Sequence, residues 1–432
     1  MLMLKPRLTV RTRRRRTNVL WLVGIFSCLV VIGMENILSS TFVLDGGSTV
    51  YGYLLKQLGF LVMGLLASAG VWHLGYPWLR RWCGTLVLIS AVLLFAVKAI
   101  GITVNGAQRW LGYGAVSFQP SEFAKLAAII CTAAALTFFW ECHGDQQTVV
   151  ERFTKKWRIE HLAPSLLAKK KLFKSYGLLC LLPALFLSAI ILIQPDAGTA
   201  IVLFVPSAFM LFCSGIPLYD RHWSYKKIGL WTLAAIVIGV LAFYFFGHDY
   251  QKDRIRAWIY PEDYKKTIGY QITQSLIAIG SGGVWGQGMG TGISKFSYLP
   301  EAHTDFAYAI LCQEWGFLGG VLVLFLFFAL IYFGVQAAGS CQDRFGMFLA
   351  MGITFSLGGQ GLVNMAMVTD LFPVVGVPLP FISYGGSSLI LNLISASLLL
   401  RVSYDNYMAA AKAQDLSAQQ ARQALRPPFM GH

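Results

Sequence analysis

Residues 305–333 read DFAYAILCQEWGFLGGVLVLFLFFALIYF, and this stretch decides the class of fold. It carries two charged side chains, Asp305 at its start and Glu314 further along. A helix needs about 20 mostly apolar residues to cross the hydrocarbon of a bilayer, so this run is long enough with residues to spare. The rest of the 432-residue chain has the same character, with 56% hydrophobic residues, 13% charged residues and a mean hydropathy of +0.60. Soluble domains carry roughly 25% charged residues. A water-soluble globule, a disordered chain, a coiled coil and a small disulfide scaffold are therefore excluded.

Working outward, apolar runs recur near 18–38, 56–76, 84–104, 122–140, 176–194, 197–215, 228–247, 305–333, 345–369 and 379–401. They are continuous, not alternating, and lipid demands that every backbone group be paired internally. The expectation is an all-α polytopic membrane protein of ten transmembrane helices. A net charge of +15 would suit nucleic acid, but the basic residues gather between the apolar runs, as cytoplasmic loops do. Clusters at Lys5 to Arg16, at Arg80 and Arg81, and at Arg152 to Lys174 mark inner ends, whereas 39–55 and 370–378 contain no Lys or Arg. This predicts both termini in the cytoplasm and no nucleic-acid partner. It divides the chain into a basic tail at 1–17, a ten-helix membrane domain at 18–401 and a polar cytoplasmic tail at 402–432. Within the membrane domain, 141–175 is a basic cytoplasmic loop and 248–304 a large extracytoplasmic loop between helices 7 and 8. The first apolar run is long and no A-x-A site follows it, which reads as an uncleaved signal-anchor. The basic loop 141–175 either contacts anionic membrane lipids or is simply solvated.

Ionisable residues at the edges of spans are costly and point to function. One cluster runs from Arg109-Trp110 through Gln119, Glu122 and Lys125. Glu122 and Lys125 are three apart and share a helical face, either as a structural ion pair or as a cavity cation held by a carboxylate. Asp196, in the turn Gln194-Pro195-Asp196-Ala197-Gly198-Thr199, either caps the next helix or faces a ligand. The outer segment contributes Arg254, Arg256, a glycine run at 280–290 and the set Glu301, His303 and Asp305. The glycine run lacks a G-K-[ST] ending, which leaves tight turns as its reading. For the last set, Thr304 as a helix cap with Asp305 in the first turn is one reading. A partly desolvated carboxylate of raised pKa, able to accept a proton, is the other.

Taken together these stretches resemble the SEDS family (shape, elongation, division and sporulation: FtsW, RodA and SpoVE). The resemblance rests on 109–125, 194–199, Gly269-Tyr270-Gln271 with Gln274-Ser275, Tyr298 to Phe306, and Pro378-Leu-Pro-Phe-Ile-Ser-Tyr-Gly-Gly-Ser-Ser388. Residues 298–305 are most like FtsW, and 373–380 are nearer RodA. Departures are Gln313-Glu314-Trp315-Gly316, where two glutamates and a leucine are usual, and Asp370, often glycine in the family. The resemblance implies a peptidoglycan glycosyltransferase that polymerises lipid II at the outer face of the bacterial cytoplasmic (inner) membrane, for division or elongation. It implies a class B penicillin-binding protein and other divisome or elongasome membrane proteins as partners. Asp305 then becomes the catalytic base, with Arg109, Trp110, Gln119, Glu122, Lys125, Asp196, Arg254, Arg256, Glu301 and His303 binding substrate. A divalent cation, Mg or Mn, would suit the departing diphosphate. The rival readings are a lipid II flippase and a scaffold that only recruits the penicillin-binding protein.

Overall fold

A computed structural model describes residues 10–41, 51–104, 107–113, 116–142, 176–216, 249–264, 268–296 and 298–424. Its helices are α1 (Val10–Thr41), α2 (Gly52–Leu74), α3 (Tyr76–Ile100), α4 (Pro120–Glu141), α5 (Tyr176–Ile193) and α6 (Ala197–Ser214). They continue as α7 (Asp249–Ile259), α8 (Ile268–Ser281), α9 (Ala307–Gly339), α10 (Arg344–Val368) and α11 (Gly386–Ala424). Eight of these are long and apolar enough to cross a membrane, and Gly177–Ile193 in α5 is a shorter apolar helix. The chain is thus a helical multi-pass membrane protein. The expected span at 228–247, most of the basic loop 141–175, and the ends 1–9 and 425–432 lie outside the described residues.

Burial separates core helices from lipid-facing ones. Two thirds of the apolar window of α4 and of α11, and 61% of that of α10, is buried, against 17% for α2 and 22% for α3. Small residues let α9 and α10 approach closely, as membrane interfaces favour. A Cβ at Gly334 would strike Thr354, one at Gly358 would strike Ile331, and one at Gly361 would strike Phe327.

Several expectations need correction. The chain is not purely α: the third helix ends at Ile100, and β1 (Ile102–Val104), β2 (Ala107–Tyr113) and β3 (Val116–Phe118) form an antiparallel meander. The segment 248–304, expected as a large loop, contains α7, α8 and two short 3₁₀ turns, Pro261–Tyr264 and Ile293–Lys295. The last span does not begin at 379. Residues 369–385 form an extended, turning segment, and helix resumes only at Gly386 and runs on through the expected tail to Ala424.

α9 is interrupted. Gly316 has φ 70° and ψ −168°, which breaks the helical hydrogen bonding. The glycine run fills the gap: Gln287 N donates to Gln313 O at 3.0 Å, Gly288 N to Glu314 O at 3.0 Å, and Phe317 N to Gly283 O at 2.9 Å. Gly283, Gly286, Gly288 and Gly290 all have positive φ, so the run is made of tight turns as read. Below it, Lys295 Nζ lies 2.8 Å from Glu314 Oε1 and donates to Ser39 Oγ at 3.0 Å. This buried ion pair ties the outer segment to α1 and to the break.

Candidate active site

A cavity of about 180 Å³ opens among β2, the start of α4, the α5–α6 turn, α7, the turn before α9 and the segment before α11. The sequence brings these elements together through local geometry. Pro120 begins α4 where its missing N–H costs nothing. That sets Glu122 and Lys125 one turn in, both buried, with Lys125 Nζ 2.8 Å from Glu122 Oε1. The ammonium also donates to Gln360 Oε1 at 2.8 Å. Asp196 is the helix cap expected as one of its readings, and it also pairs with an arginine at the cavity wall. It caps α6 by accepting from Thr199 N at 3.2 Å and from its hydroxyl at 2.8 Å, and it lies 3.2 Å from Arg109 Nε. Trp110 and Gln119 complete that side, and Gln119 N donates to Ser387 Oγ at 3.1 Å.

The opposite wall holds Glu301, Asp305 and Arg254. Here the capping expectation fails. α9 begins at Ala307 with Phe306 as its cap residue, and the Thr304 hydroxyl donates to Glu301 Oε2 at 2.7 Å instead. Asp305 is therefore outside the helix and free of its first turn. Arg254 Nη1 donates to Val374 O at 3.1 Å. A Cβ built on Gly376 (φ +72°) would sit 3.3 Å from Asp305 Oδ2 and 3.4 Å from Arg254 Nη1. Glycine at 376 thus lets a carboxylate and a guanidinium approach the same point of the wall. Withdrawal from bulk water and the neighbouring Glu301 push the Asp305 carboxyl up to about 6, against the pull of Arg254 and Arg109.

Arg256 and His303 do not join the cavity. Two residues along a helix is about 200° of rotation, so Arg256 faces away from Arg254, exposed and 3.4 Å from Asp253 Oδ1. His303 packs between Tyr53 and Tyr384, each ring centroid 5.8 Å away, and its carbonyl accepts from Tyr384 N at 2.8 Å. Burial holds its imidazole below the ordinary histidine range, which leaves it neutral at pH 7.

Two residues that brace the walls of this cavity were absent from the sequence reading. Gln360 donates through Nε2 to Pro378 O at 2.8 Å while its oxygen receives Lys125. One turn on, Asn364 Nδ2 donates to Asp305 O at 2.8 Å and to Val377 O at 2.7 Å. Their signal was visible: two amides at i and i+4 inside an apolar span, each costly unless bonded. Among the described residues, no three His, Cys, Asp or Glu side chains converge as a metal site.

The family profile described as cell cycle protein, for FtsW, RodA and SpoVE, matches residues 17–408. The chain is 33% identical over 389 residues to a probable peptidoglycan glycosyltransferase FtsW of Aliivibrio salmonicida, covering 89% of this chain and 88% of that one. It is 35% identical over 355 residues to peptidoglycan glycosyltransferase MrdB of Escherichia coli K12, covering 81% and 85%. A chain in the solved structure of a peptidoglycan synthase complex that coordinates polymerization and crosslinking superposes with a TM-score of 0.65 at 27% identity, covering 89% and 97%.

Proposed function

Given that this chain belongs to the FtsW, RodA and SpoVE family and is a peptidoglycan glycosyltransferase of cell wall synthesis, we propose that the cavity at Asp305 is where lipid II units are joined. The observation that carries this reading is the meeting of one carboxylate of raised pKa with the cations Arg254, Arg109 and Lys125 around a single open cavity. The arrangement answers both demands of the reaction. The 4-hydroxyl of one sugar attacks the anomeric carbon of another, whose bond to undecaprenyl diphosphate breaks. Asp305 takes the hydroxyl proton, and a base of pKa about 6 is largely ionised at neutral pH yet basic enough to accept it. Arg254 and Arg109, with Lys125 deeper in, stabilise the charge that develops on the leaving diphosphate. A cavity of about 180 Å³ lies below the roughly 300 Å³ of the smallest drug-sized pockets. The cavity is not closed, so the sugars extend beyond it and the lipid tails lie along the bundle. Glu301 would hold a divalent cation beside the diphosphate, and that cation would add charge neutralisation at the leaving group.

The proposed topology has ten spans, the seventh at 228–247, with both termini in the cytoplasm and the cavity open to the outer face of the bacterial inner membrane. The positive-inside distribution supports it. A class B penicillin-binding protein is the proposed partner, together with other division or elongation membrane proteins. The likeness to a chain of a polymerizing and crosslinking complex supports that pairing. The 298–305 segment and the FtsW relatives favour division over elongation.

The decisive experiment mixes purified protein with lipid II in detergent, with and without the penicillin-binding protein. Detergent leaves no sidedness, so glycan polymer supports an enzyme and excludes mere transport. Asp305→Asn should abolish polymer while the protein keeps its thermal midpoint. Undiminished synthesis by that folded variant removes Asp305 as the base.

A further inference from the structure

A second cavity, of about 430 Å³, lies at the opposite end of the bundle from Asp305, between the first turns of α1 and the last turns of α9. Arg13, Arg14 and Asn18 line one wall, and Tyr332, Phe333 and Gln336 the other. Phe333 of that wall stacks on Trp21 of α1, with ring centroids 5.6 Å apart and planes 10° apart. Farther along the same two helices, Leu20 of α1 and Phe325 and Phe328 of α9 are exposed apolar side chains. The groove thus has a cationic mouth and an apolar length.

Two details make this a built site rather than a basic tail lying on a membrane. Arg15, between α1's exposed arginines, is buried and donates to Asn406 O at 2.9 Å and Ser340 O at 3.0 Å. Those bonds lock the rotation of α1 against α9 and α11, so Arg13 and Arg14 are held at the groove. Asn18 is 6% exposed, yet its amide is barely engaged: Nδ2 reaches Ser403 Oγ only at 3.5 Å, and Oδ1 meets no donor among the described residues. A polar side chain in that condition is available to a ligand's polar group after a small rotation. Among the described residues, neither Arg13 nor Arg14 pairs with a carboxylate.

We propose that this groove binds one anionic phospholipid, with its phosphate between Arg13 and Arg14 and one acyl chain along the α1–α9 seam. Guanidiniums bind phosphate bidentately and keep their charge at any physiological pH. The stacked rings and the exposed apolar side chains farther along α1 and α9 match a chain, not a soluble anion. With the N-terminus cytoplasmic, the lipid belongs to the inner leaflet, where polybasic segments meet anionic headgroups.

The test uses the full chain in mild detergent and native mass spectrometry, titrating phosphatidylglycerol against phosphatidylcholine. Wild type should hold one phosphatidylglycerol at least tenfold more tightly than phosphatidylcholine. R13Q/R14Q should lose that preference, and Gln336→Trp, which fills the groove without changing charge, should lose the bound lipid. Arg16→Gln is the control, since Arg16 is exposed on the same helix but does not line the groove. Equal losses in R16Q and R13Q/R14Q, or equal binding of the two lipids, would mean diffuse surface charge and overturn the proposal. A protein helix protected by cross-linking at Gln336, with no lipid retained, would overturn it too. Matching thermal midpoints for all variants keep each result a statement about binding.

Discussion

As the proposed base, Asp305 sets how the enzyme should respond to acid. Its carboxyl ionises at about 6, so the form able to accept a proton dominates above that pH and is lost below it. Polymerisation should rise with a single-proton limb centred near pH 6 and level off above neutrality. The negative Glu301 is one of the forces raising that value, so Glu301→Gln should move the limb to lower pH. A limb that stays in place, or moves upward, would separate Glu301 from the base. Asn364 acts at one remove, through two carbonyls. Asn364→Asp keeps its shape and removes both donors, leaving Asp305 O and Val377 O unsatisfied at about 1–3 kcal/mol each. The expected result is a ten- to hundredfold fall in kcat with little change in KM, the pattern of a base displaced by a fraction of an ångström. Stopped-flow or gel-based turnover measurements with the folded variant decide it. Asp305, Arg254 and Lys125 could be picked out in the chain because charge at a span's edge is conspicuous. Gln360 and Asn364 were missed because a neutral amide in an apolar run attracts less notice, although its need for partners is similar. Arg256 was included on proximity in sequence, which helical rotation overrides.

At the scale of elements, the spans were legible because hydrocarbon enforces length and apolarity, and every described helix of membrane length overlaps an expected run. Their ends were not. α11 continues to Ala424 because a helix needs no hydrocarbon to persist in an alanine- and glutamine-rich stretch. The β meander escaped notice because its strands are short and glycine-punctuated, with register set by pairing. Asp370 finds its explanation here: its φ of 61° is a left-handed conformation in which glycine is at ease and Asp is tolerated. The Lys295–Glu314 pair joins three elements, α1, the outer segment and α9. Removing one partner of a buried pair costs about 3–5 kcal/mol, whereas replacing both by neutral groups costs far less. Lys295→Met should therefore lower the thermal midpoint by several degrees, and adding Glu314→Gln should restore most of it. Equal midpoints for the single and double variants would mean the pair carries no such coupling.

At the scale of the whole molecule, orientation is the property that every proposed role requires. Tyr298 is exposed beside the proposed catalytic turn, and Arg16 is exposed near the far end of α1. In intact cells with a permeable outer barrier, a membrane-impermeant maleimide should label Tyr298→Cys above the background of native cysteines. It should label Arg16→Cys only after lysis, and the reverse pattern would invert the bundle and the proposed site of synthesis. The break in α9 has a final consequence. Residues 283–288 stand in for a missing helical turn by bonding to Gln313, Glu314 and Phe317. Surface loops ordinarily tolerate insertions and deletions. This one does not have that freedom, since gaining or losing a single residue would slide every amide past its carbonyl. The most flexible-looking stretch of the chain is therefore the one whose length can least drift over generations.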